Sequence, residues 1–350
     1  MKKLFSLILT GTMVLSMAAC SDSSTKTSQS SASGQSSQSS FSASQPSEFT
    51  YPAGDINWEL AGNAGSGPDT LMRALITELE PAMGKTIVPV NNLWNTALEN
   101  MLAAEPDGLT VSNIPTPNAF KRDLDPANED DPSWRDLALV CNIVTYPNLI
   151  GVRPDDERFA DVNDLNDFID WCKSNPDESL LVAVKSNKGA DDIALYKLQN
   201  ETGLTNEQLI HLNASSASEN MACFLGGHVD VLMSNTPEAL SVYNDGNLKI
   251  LAVFDEERSE FFPDAPTAKE QGIDVVNGVS LGVVMNPECD KEIINALADY
   301  IVNATEDPEF QKTLKSLGFT LNVKPTDEYT KMMVEEEAQL KEIAPLLGWA

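Results

Sequence analysis

The sequence predicts an α/β fold with mainly parallel strand pairing. Short apolar runs alternate with amphipathic segments along the body of the chain, which is the pattern of strands joined by helices. Three strand-to-helix junctions end in small or amide side chains: "GNAGSGPDTLMR" at 62–73, "VKSNKGADD" at 184–192 and "SNTPEAL" at 234–240. Loops at the carboxyl ends of strands are where open α/β sheets bind ligands. No internal repeat at a solenoid period competes with this reading.

Taken in order, the chain opens with MKKLFSLILTGTMVLSMAAC, where Lys2 and Lys3 precede an apolar run and small residues precede a cysteine. This is the pattern of a secretory signal peptide, expected over residues 1–19, and not of a membrane span. Met17-Ala18-Ala19-Cys20 resembles a bacterial lipobox, which makes Cys20 the expected lipidated first residue of the mature chain. Residues 20–50 are dominated by Ser, Gln and Thr. With so little to bury, this stretch is expected to be a disordered tether.

The body of about 300 residues suffices for two domains. Strands are expected at 56–61, 86–90, 109–113, 137–143, 148–152, 180–185, 229–233, 249–254 and 279–285, with a further one from 209. The first helix is the most fully specified. Leu71, Leu75 and Leu79 share one face, Ser66 or Gly67 stands at the N-cap, Pro68 at the first turn, Asp69 beside it, and Gly84 closes the helix. A second helix is expected at 193–200, and Pro237 marks the start of a third.

Composition removes several classes of function. A formal charge of −30 repels nucleic acid and anionic lipid, so neither is expected as a partner. His211 and His228 are the only histidines and neither lies in a zinc pattern; a Ser-His-Asp triad would need the same two residues, and no G-x-S-x-G elbow occurs. The glycines at 62, 65 and 67 do not form G-x-G-x-x-G, Pro68-Asp69 occupies the place of a Walker Lys-Ser/Thr pair, and Val90-Asn91-Asn92 stands where a ribose-binding acid would be. An enzyme, a cofactor and a metal are therefore not expected. Cys141, Cys172, Cys223 and Cys289 are widely spaced and read as free thiols, with one bridge left open.

Six segments, in order from about Asp55 to Trp349, resemble the substrate-binding proteins of tripartite tricarboxylate transporters, the Bug family. They are "AGSGPDTLMR", "AAEPDGLTV", "YPNLIGVRPDD", "DFIDWCKSNP", "LGGHVDVLMSNTPEAL" and "FPDAPTAKEQGIDVV". The resemblance implies a two-lobed type II periplasmic-binding-protein fold with two mainly parallel sheets. Lobe 1 would be 53–153 plus 275–350, lobe 2 would be 154–274, and the hinge would lie near Val152 and Val275. It also implies a non-enzymatic, extracytoplasmic monomer that clamps a small carboxylate between the lobes by hinge closure. The carboxylate would be held by loop amides and hydroxyls and delivered to the small and large membrane subunits of a permease. A ligand sensor for a membrane receptor is the alternative. The ligand-binding residues carried over are Gly65, Ser66, Gly67 and Asp69 in the first loop, Ser186, Asn187, Gly189, Ala190 and Asp191 in the second, and Ser234 and Asn235 in the third, next to Pro237.

The chain departs from the family pattern in four places. Asn92 is followed by Leu93-Trp94, so that loop has another shape and Trp94 either walls the cleft or packs elsewhere. Ala214-Ser215-Ser216 replaces a Tyr-Lys-Gly segment, and Ser280-Leu281 a Trp-Arg pair. The fourth is Ala190-Asp191-Asp192 in the second loop. These acids either cap a helix start, or one of them faces the cleft and pairs with a cationic group, in which case the ligand is zwitterionic or neutral.

Overall fold

The computed structural model describes residues 49–185 and 187–349. The expected signal peptide, Cys20, the tether up to residue 48 and Ser186 lie outside the described residues. Among the described residues ten strands form a mixed set: β1 (Ile56–Ala61), β2 (Ile87–Asn92), β3 (Thr110–Pro115), β4 (Ala138–Val152), β5 (Leu180–Lys185), β6 (Leu209–Ala214), β7 (Val231–Asn235), β8 (Lys249–Val253), β9 (Gly278–Met285) and β10 (Thr320–Pro325). Their order is β2-β1-β3-β9-β4-β7-β5-β6, with β8 and β10 also on β4.

β4 belongs to two sheets. Its first part pairs with β9 and β10, and from Asn148 onward it pairs with β7 and β8. Pro147 stands at the changeover, opposite Gly278, so the missing proline N–H falls where one ladder hands over to the next. The strands expected at 137–143 and 148–152 are thus one strand, which the proline made look like two.

The expectation of mainly parallel sheets needs correction. β1–β2, β1–β3, β5–β6 and β5–β7 are parallel, but every pairing made by β4 or β9 is antiparallel. The antiparallel pairs gather on two strands: β4, which runs through both sheets, and β9, which returns beside it in the opposite direction.

The helices are α1 (Gly67–Met83), α2 (Trp94–Ala103), α3 (Lys121–Leu124), α4 (Leu165–Ser174), α5 (Ala190–Thr202), α6 (Ala217–Leu225), α7 (Thr236–Asn244), α8 (Lys291–Glu306), α9 (Pro308–Ser316) and α10 (Thr326–Ile343). On one face of the first sheet, Leu71, Leu75 and Leu79 of α1 join Leu297 and Ile301 of α8 and Phe310 of α9 in a single core. On the other face, Leu98 and Met101 of α2 join Met333 and Leu340 of α10. The second sheet has its own core, with Phe168 and Ile169 of α4 and Leu195 and Leu198 of α5. Among the described residues no helix is long and apolar enough to cross a membrane. Cys141, Cys172, Cys223 and Cys289 are free thiols.

Candidate functional site

Between the two sheets lies a cavity of about 240 Å³. It opens beside a wider cleft of about 690 Å³, and Gly65, Ala217 and Ser218 border both. The amino ends of four helices meet there: Ser66 at the start of α1, Ala190 and Asp191 at α5, Ser216 and Ala217 at α6, and Asn235 at α7. Each helix end carries unsatisfied N–H groups and about half a positive charge. Their convergence makes the cavity attractive to an anion.

The local sequence explains the four starts. Ser66, Ser216 and Asn235 are extended N-cap residues whose side chains accept the N–H of the residue three positions on, respectively Asp69, Glu219 and Glu238. Ser216 and Glu219 extend this to a capping box whose acid reaches back one residue past the cap: Glu219 accepts both the N–H and the hydroxyl of Ser215. Gly189 takes the cap position of α5.

The side walls come from elsewhere. Tyr146 of β4, Trp94 of α2, the segment from Pro115 to Asn118 and Lys185 at the end of β5 all face the cavity. Trp94 therefore does wall the cleft, while its neighbour Leu93 stands at the rim, 69% exposed.

Lys185 is the basic side chain in this wall, and its ammonium forms an ion pair with Glu238 of α7. Burial works against the ammonium, but Glu238 and Asp191 outweigh it and hold the pKa above the usual lysine value. Asp191 is 1% exposed. It accepts from Asn148 Nδ2 at 2.6 Å and from the Lys185 N–H at 3.3 Å. Burial is the main cause that pushes its carboxyl up to about 7; Lys185 pulls the other way and Glu238 adds to the rise. Asn277 completes the network by donating to Asn148 Oδ1 and to the Ala190 carbonyl.

Of the residues expected from sequence, Gly65, Ser66, Ala190, Asp191 and Asn235 line the cavity, and Gly67 borders the adjoining cleft. The others play supporting parts. Asp69 lies beneath the first loop, accepting from the Gly65 N–H (2.8 Å), Arg73 Nε (2.8 Å) and Asn91 Nδ2 (2.8 Å). Gly65 thus turns its N–H inward, so this amide braces the loop and does not point at a ligand. The Asn187 carbonyl accepts from Lys121 Nζ, and Ser234 is buried, with its carbonyl taken by Asn148. Asp192 faces away, bonded to the Lys188 N–H and to His211 Nδ1, while His211 Nε2 meets Gln199.

Lys185, Tyr146 and the stretch Ser215–Ser218 were not expected. The signal for the last was present as Ser-x-x-Glu at 216–219, a capping box like those that start other ligand-facing helices. Nothing local marks Lys185, because its partner Glu238 is distant in the chain.

Asp69→Ala is expected to lower the free energy of unfolding by about 1–3 kcal/mol, since it leaves a loop amide and a guanidinium without their acceptor. Ligand affinity should fall roughly tenfold as the loop loses its fixed shape. Urea denaturation and calorimetric titration read the two effects; unchanged affinity would show that Asp69 does not organise the loop.

The model of the "Tripartite tricarboxylate transporter family receptor" matches residues 71–348. The chain belongs to this receptor family. Among its relatives is the UPF0065 protein in the gbd 5′ region of Cupriavidus necator, 24% identical over 303 residues, covering 86% of this chain and 89% of the relative. A protein of R. palustris solved with adipate superposes with a TM-score of 0.77 at 18% identity, over 86% of this chain and 99% of that one. MatC of Rhodopseudomonas palustris, solved with bound malate, gives 0.72 at 19% identity, over 84% and 100%. The receptor's fold is accordingly the two-lobed, type II periplasmic-binding-protein fold.

Proposed function

We propose that this receptor captures a small carboxylate-bearing metabolite outside the cytoplasmic membrane and delivers it to the small and large membrane subunits of a tripartite permease. The observation that carries this reading is the meeting of four helix amino ends on one cavity of about 240 Å³. A carboxylate bound there exchanges water for fixed N–H and hydroxyl donors. The adipate and malate named with the two R. palustris structures support the same class of ligand. The two lobes divide where the chain crosses between sheets, at Pro147–Asn148 on the outward strand and Asn277–Gly278 on the return, and these crossings act as the hinge.

Native mass spectrometry of protein purified without denaturation, followed by titration with the molecule released, tests this function. A bound compound carrying a carboxylate is the expected result; a retained ligand without one would overturn it. Cys20 is the proposed lipid anchor. Mature protein from membranes should begin at Cys20 with the mass of a diacylglyceryl modification, and Cys20→Ala should release the receptor into the soluble fraction. Mature protein that begins elsewhere than Cys20, or whose Cys20 carries no added lipid mass, would exclude the anchor.

A further inference from the structure

The charge around the four helix starts is unusual for a site that takes an anion. Each of the four helix starts already has a carboxylate in its first turn: Asp69 in α1, Asp191 in α5, Glu219 in α6 and Glu238 in α7. Asp69 is matched by Arg73, and Glu219 by the amide and hydroxyl of Ser215. That leaves Asp191 and Glu238 facing the single ammonium of Lys185. A second ligand carboxylate brought to Lys185 would compete with Glu238 for that one cation, beside an Asp191 carboxyl that burial already holds partly protonated, in a place where low polarity strengthens repulsion.

Glu238 adds an independent observation. Its side chain is 10% exposed and borders the cleft beside Gly65 and Ser218. One oxygen takes the Lys185 ammonium, while Oε2 is closed off from solvent and has no hydrogen-bond donor among the described residues. A buried carboxylate oxygen without a donor is costly to maintain. Asn118, which lines the smaller cavity, likewise has a buried Oδ1 with no partner among the described residues. Both of these unmet groups are acceptors.

We propose that the ligand carries a cationic amine as well as its carboxylate, and that Glu238 is the residue that selects the amine. The carboxylate lies toward the α1 and α6 starts and the ammonium toward Glu238, whose carboxylate turns its unpartnered Oε2 to the amine on binding. Asp191 offers no free oxygen, because Asn148 and the Lys185 amide hold both. The acid that addresses the ligand is thus Glu238, in the third loop, and not the Asp191-Asp192 pair of the second. Polycarboxylates with no amine are selected against. This inference rests on the carboxylate reading of the cavity and narrows it.

Calorimetric titration of matched acids decides the matter: glutamate with glutarate, alanine with propionate, 4-aminobutyrate with butyrate, and citrate alone. The tightest binder is expected to bear an amine and to bind roughly tenfold or more above its nitrogen-free partner. In Glu238→Gln that ratio should collapse to about unity, with the nitrogen-free partner binding as well as before or better. A nitrogen-free acid or citrate binding as tightly as any amine, or a ratio retained in the variant, overturns the amine assignment and leaves the carboxylate reading standing. Failure of every acid to bind removes both. Should Glu238→Gln not fold, the matched pairs on the unaltered receptor still decide.

Discussion

Lys185→Met is expected to lower the free energy of unfolding by about 3–5 kcal/mol, the usual consequence of removing one partner from a buried ionic cluster. Asp191 and Glu238 would then face each other across a largely buried space without a cation. The loss should depend on pH. The Asp191 carboxyl already sits at about 7 in the folded protein, above its ordinary value of 3.8, so the folded state holds a proton that the unfolded chain has released. Stability from this group is therefore present at low pH and declines as the pH rises from about 4 to about 7. Removing Lys185, which lowers that pKa, extends the decline upward. Urea denaturation from pH 4 to pH 8 should show the gap between Lys185→Met and the unaltered receptor widening with pH. A constant gap would mean that Asp191 does not titrate in this range.

Gly282→Ala should cost about 3 kcal/mol or more, the upper range for forced overpacking. A Cβ there would stand 2.5 Å from Cζ and Oη of the buried Tyr329 and 2.7 Å from the Cys141 carbonyl oxygen. Gly282 pairs with β3 on one side and β4 on the other, so the carbonyl belongs to a central ladder and cannot move aside. Gly203→Ala makes the informative comparison. Gly203 closes α5 at φ +73° with open space around its Cβ position, so only backbone strain of about 1 kcal/mol is expected. Similar denaturation midpoints for the two variants would contradict the crowding at Gly282.

Features that depend on neighbouring residues were legible in the sequence. The α1 start, with Ser66, Pro68 and Asp69, and its close at Gly84 follow from capping chemistry over a few positions. The bounds of β1 and β5 match expectation because β1 alternates apolar with polar positions up to Leu60 and β5 is an apolar run closed by Lys185, both patterns read over a few neighbours. β4 misled for the same reason: Pro147 is a strand breaker in local terms, and only the exchange of partners at that position makes it harmless. β10 was missed, with a burial pattern of exposed and half-buried positions that lacks an apolar signature.

The candidate site divides along the same line. By itself the sequence determined the α/β class, the family likeness and three of the four helix starts, because hydrophobic period and cap residues act over one or two turns. Tertiary structure alone decided the charge balance of the cavity. It brought Lys185 to Glu238 and Asp191 to Asn148, turned Asp192 toward His211, and set Asp69 beneath its own loop. Electrostatic interactions depend on distance in space, and partners held on different elements of the fold leave no periodic trace along the chain.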